Sequence, residues 1–173
     1  MILTHYFIKR KINRLLSSAK RSRRFKTLNE IHNVLLLCHA ADADEVKQCA
    51  ARLKKAGKRV TVYMCETASA ASRNGDPDIF YVSPAHDVTV WGFPESSVVQ
   101  KVNACTPDIV IDLTRKNEYV MQYLLLRSEC DFKAGIRSEE KAFYDFSVSA
   151  TENKELSYLF EQIIFYLQTI RSK

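Results

Sequence analysis

HNVLLLCHAADADEVKQCAARLKKAGKRVTVYMC, residues 32–65, changes its apolar period twice within one short span. HNVLLLCHA is an apolar run of strand length, the pattern of a strand buried on both faces in a parallel sheet. In DADEVKQCAARLKKAGK the apolar positions Val46, Cys49, Ala50 and Leu53 fall on one side of a helix. Asp42 or Asp44 can cap its start and Gly57 supplies its stop. RVTVYMC, residues 59–65, reads as a second strand. Strand, helix and strand in this compass predict a right-handed βαβ unit.

The same alternation continues toward the C-terminus. DIFYVS (78–83) and DVTVW (87–91) read as short strands or extended segments, broken by Gly92 and Pro94. ESSVVQKVNAC (95–105) is predicted as a helix, PDIVIDL (107–113) as a strand, EYVMQYLLLRSEC (118–130) as a helix and FKAGI (132–136) as a strand. FYDFSVS can form a last edge segment. The chain then closes on an apolar helix with Leu156, Leu159, Phe160, Ile163, Leu167 and Ile170 turned inward. The expected fold is therefore a Rossmann-like three-layer α/β sandwich with a mostly parallel sheet, residues 27–173 forming one domain.

Residues 1–26 differ in kind. With 100° of turn per residue, Ile8, Ile12, Leu15, Leu16 and Ala19 fall within an arc of about 100° on a helix predicted over 2–24. Lys9, Arg10, Lys11, Arg14, Lys20, Arg21, Arg23, Arg24 and Lys26 are nine of the 26 basic residues, and residues 1–26 contain no acid. The remainder holds 17 basic against 20 acidic residues, so a net charge of +6 is a mildly acidic body with a cationic front. A helix needing only solubility gains a few tenths of a kcal/mol from each opposite-charge i,i+4 pair. This one instead repels itself and sets cations against its own N-terminal dipole. Three readings follow: the charges merely face water, they meet RNA or a ribonucleoprotein, or they meet an anionic membrane surface. An acidic protein partner is a further option.

Composition narrows the classes. Hydrophobic content of 46% with 27% charged residues is globular, and no run nears the roughly 20 apolar residues of a membrane span. MILTHYFI precedes the charges, whereas a secretory signal places charges first, so the expected compartment is the cytoplasm. Cys38, Cys49, Cys65, Cys105 and Cys130 are odd in number and widely spaced, which argues for reduced thiols without a metal. HAADAD contains no glycine, so the dinucleotide fingerprint and the P-loop are both missing, and there is no G-x-S-x-G elbow. His5, His32 and His86 lack a partner at metal-ligand spacing. No cofactor and no catalytic residue are assigned on these grounds.

In an open parallel sheet ligands bind beyond the carboxyl ends of the strands. There the reading places His39, Asp42 and Asp44 after the first strand, Glu66 after the second, and Asp112, Thr114, Arg115 and Lys116 after DIVIDL. His39, Glu66, Asp112, Arg115 and Lys116 form the candidate crevice site, for acid/base work or a phosphate; helix caps and a solvated loop explain the same residues without a ligand.

At PDIVIDL, FKAGI, FYDF and EQIIFYLQTI the chain resembles an uncharacterised bacterial family of the domain-of-unknown-function type. Its small α/β proteins share a basic N-terminal helix, a βαβ start, a strand ending Asp-Leu and an apolar C-terminal helix, which implies a fold and no reaction. Residues 107–136 are more faintly similar to the acceptor half of heptosyltransferase-like glycosyltransferases, although a second domain for a nucleotide-sugar donor is lacking. Two expectations result: a non-enzymatic adaptor that uses its basic helix on an anionic partner, or a small nucleotide- or phosphosugar-binding module, or degenerate transferase, that uses the crevice.

Overall fold

The structure, a computed structural model, describes residues 2–18, 24–66, 75–116, 118–130, 132–137, 143–149 and 155–169. Among them the order is α1 (Ile2–Ser18), β1 (Asn33–His39), a 3-10 turn (Ala40–Asp42), α2 (Ala43–Lys55), β2 (Arg59–Cys65), β3 (Ile79–Val82), α3 (Ser96–Ala104), β4 (Ile109–Asp112), α4 (Tyr119–Arg127), β5 (Phe132–Arg137), β6 (Phe146–Ser149) and α5 (Leu156–Thr169). The strands form one sheet in the order β3-β2-β1-β4-β5-β6, and each pairing is parallel. This is the Rossmann-like three-layer fold that the alternation predicts. The direction of winding reverses between β1 and β4, which pair from Val34 with Ile109 to Leu37 with Asp112.

Alternate side chains of each strand feed two separate cores. Val34, Leu36, Cys38, Val62, Met64, Ile109, Ile111, Phe132 and Ala134 meet α2 and α5 on one face. Leu35, Leu37, Tyr63 and Val110 meet α1, α3 and α4 on the other. The expected stripe of α2, Val46, Cys49, Ala50 and Leu53, is buried. Leu156, Leu159, Phe160, Ile163 and Leu167 of α5 are buried with Ile164, while Ile170 lies outside the described residues.

Helix α1 docks by Ile8, Ile12 and Leu16 of the expected stripe, of which Ala19 lies outside the described residues. Ile8 and Ile12 are buried with Met121 and Leu124 of α4, and Leu16 packs against the same cluster. Of the predicted span 2–24, residues 2–18 are helical, residues 19–23 lie outside the described residues, and Arg24 to Thr27 have no regular structure. The hydroxyls of Ser17 and Ser18 bond back to the carbonyls of Asn13, Arg14 and Leu15. Of the two forms read for DVTVW, short strand or extended segment, no ladder strand is formed. Val88 makes a single antiparallel bridge to Pro94 around a turn in which Gly92 adopts φ 83°. Among the described residues, no helix is long and apolar enough to cross a membrane.

One buried and one partly buried charged group are explained by what they hold. Lys133 of β5 is 2% exposed, and its ammonium donates to the carbonyls of Leu125 and Ser128 at the C-terminal end of α4, where the helix dipole favours a cation. Asp108, just before β4, accepts from the amides of His32 and Asn33 at 2.9 Å each and pairs with Lys26 at 2.6 Å. Burial opposes its ionisation, yet these hydrogen bonds hold its carboxyl down at about 2.

Candidate functional site

The crevice at the carboxyl ends of β1 and β4 is built by two short turns. Beyond β1 the 3-10 turn brings the amide of Ala41 to Nδ1 of His39 at 3.1 Å. With Nδ1 accepting, a neutral ring carries its proton on Nε2, and His39 presents a donor. Asp42 occupies the N-cap position of α2 but makes no cap hydrogen bond. Its carboxylate instead turns across the crevice to the guanidinium of Arg115. The helix-cap reading of Asp42 is thereby replaced by a cross-crevice ion pair.

Beyond β4 the turn is organised from below. Asp112 is fully buried and accepts from the amide of Thr114 at 2.9 Å, the hydroxyl of Thr114 at 2.6 Å and the hydroxyl of Tyr144 at 2.9 Å. Burial raises its carboxyl above the ordinary range despite these bonds. The Tyr144 hydroxyl is pushed well above its ordinary value, by burial first and by Asp112 next. Tyr144 reaches Asp112 by lying over Gly135, the register partner of Asp112 on β5. A Cβ at position 135 would stand 2.5 Å from the Tyr144 ring and 2.9 Å from the Asp112 carbonyl, so this contact requires glycine.

Above that support lies a cavity of about 500 Å³ lined by His39, Asp42, Thr114, Arg115, Lys116 and Glu118. A second, of about 230 Å³, adjoins it through the shared residues His39 and Glu118 and is walled by Glu66, Cys65, Val88, Tyr119 and Val120 among others. Of the five crevice candidates, His39, Arg115 and Lys116 therefore come together, Glu66 stands in the neighbouring compartment, and Asp112 lies beneath as a fully buried support. Glu118 was missed, because a carboxylate at the start of a helix reads as a dipole partner in sequence. Cys65 faces the smaller cavity, but burial, with Glu118 adding to it, pushes its thiol up to about 12; it is no thiolate nucleophile near neutrality.

The basic residues divide. Lys9, Arg10, Lys11 and Arg14 stand exposed on α1, and none pairs with a carboxylate among the described residues. Arg24 is exposed just beyond it, and Lys26 is held within the fold by Asp108. Lys20, Arg21 and Arg23 lie outside the described residues. Beside the cationic face is an aromatic patch: Phe7 meets Tyr6 at 5.7 Å and Trp91 at 5.4 Å, both edge-on, and Tyr6 and Trp91 are more than half exposed.

Compared with known proteins, residues 5–170 match a family of unknown function (DUF6913). No curated protein and no solved structure matches, so the glycosyltransferase likeness draws no support from them.

Proposed function

We propose, from the premise that the chain belongs to the DUF6913 family of unknown function, that it is a non-enzymatic adaptor of the bacterial cytoplasm whose α1 face binds RNA or a ribonucleoprotein. One observation carries this reading. Four exposed cations on a docked helix have no carboxylate partner among the described residues, while the helix's apolar stripe is already covered by α4. A membrane-surface helix needs that stripe free to enter the acyl boundary; RNA needs only the cations for phosphates and exposed rings for unpaired bases. Tyr6 and Trp91 supply the rings.

The test is a fluorescence titration of the full chain with a labelled RNA hairpin bearing an unpaired loop, repeated across salt concentrations. Four phosphate contacts give log K against log[salt] a slope of about −3. Arg10→Glu with Arg14→Glu is expected to weaken binding by about tenfold or more and to shrink the slope by about 2. Equal binding by that variant overturns the proposal, as does flotation with phosphatidylserine-rich vesicles in place of RNA binding.

A further inference from the structure

The geometry points to a nucleoside monophosphate site in the crevice between β1 and β4, with the phosphate in the larger compartment beside Arg115 and Lys116 and the nucleoside in the smaller one beside Glu66 and Tyr119. This inference does not depend on RNA binding by α1.

The two compartments differ in chemistry and share a wall. In the larger, Asp42 engages one guanidinium nitrogen of Arg115, which orients the fork and leaves its other N–H groups available. Lys116 adds an exposed ammonium with no carboxylate partner among the described residues. His39 lines both compartments and offers Nε2–H, which has no hydrogen-bond partner among the described residues. These donors match one phosphate group. Without a glycine-rich turn after β1, no backbone cradle extends the site to a second or third.

The smaller compartment suits the rest of the ligand. Val88, Tyr119 and Val120 give apolar walls for a flat base, and Glu66 at the end of β2 and Glu118 on the shared wall bring carboxylates, which accept hydrogen bonds from ribose hydroxyls. At about 230 Å³ it is small for a complete ligand site, whereas the two together fall within the usual range of roughly 300–1,000 Å³. The location agrees with the general rule for open parallel sheets, in which ligands sit where the winding reverses.

Calorimetric titration of the full chain with AMP, GMP, CMP and UMP, and separately with inorganic phosphate and glucose 1-phosphate, tests the assignment. At least one monophosphate is expected to bind, with the matching triphosphate no tighter. Arg115→Ala with Lys116→Ala, both exposed and on the crevice rim, should weaken it about tenfold or more. Val88→Trp, which fills the smaller compartment, should weaken the nucleotide by a similar factor and leave inorganic phosphate unchanged. The Arg10→Glu, Arg14→Glu variant should bind the nucleotide normally, which separates this site from the α1 face. No binding of any monophosphate at millimolar concentration overturns the proposal. So does equal binding of glucose 1-phosphate, indifference to the Arg115, Lys116 pair, or loss of nucleotide binding on reversing α1.

Discussion

Two aspartates frame β4 and respond to acid in opposite senses. Asp108 is held at about 2, so its stabilising contribution is present above the unfolded value near 3.8 and is lost as pH falls toward 2. Allowing for its partial exposure, the loss should be about 1 kcal/mol, and urea unfolding between pH 4 and 2 should show Asp108→Asn with a flatter acid limb than the native chain. Asp112 runs the other way: burial raises its carboxyl, so its contribution is present when protonated and is lost as pH climbs through its folded value. Sequence alone marks both residues as acids beside an apolar run and cannot tell them apart. What separates them is a tyrosine 32 positions later and a glycine on the neighbouring strand, contacts that short-range pattern does not carry. His39, Arg115 and Lys116 were legible because the ends of parallel strands are where such residues converge; Glu118 and Tyr144 were not, since their roles depend on strand order.

At the scale of elements, apolar period was a sound guide wherever an element is long or buried. The strand-helix-strand start, the α5 stripe and the α1 stripe follow from it directly. Period was a weaker guide in short runs: Val88 to Trp91, read as a short strand or extended segment, make one bridge and turn at Gly92. Capping also crosses between elements in a way no local pattern announces. The carboxylate of Glu45 on α2 accepts from the amides of Leu156 at 3.0 Å and Ser157 at 3.4 Å, filling the place of an N-cap residue for α5. Glu45→Ala should therefore lower the unfolding free energy by about 1 kcal/mol, measured by urea denaturation, even though position 45 lies in a different helix from the one it caps.

For the whole molecule, the basic leader is also a structural part. Removing residues 1–26 would uncover Met121 and Leu124 and forfeit the burial of Ile8 and Ile12, worth about 2 kcal/mol each. The truncated chain should melt well below the intact one and bind a hydrophobic dye, whereas reversing charge at Arg10 and Arg14 should leave the melting temperature nearly unchanged. The docking of α1 on α4 also has a meaning in time. Met121 and Leu124 are made more than 100 residues after Ile8. At about 5–20 residues per second of synthesis, the cationic helix waits several seconds with its greasy side unhoused. Throughout that interval the cations and the uncovered apolar side of α1 are displayed together on the growing chain, a state that docking on α4 brings to an end.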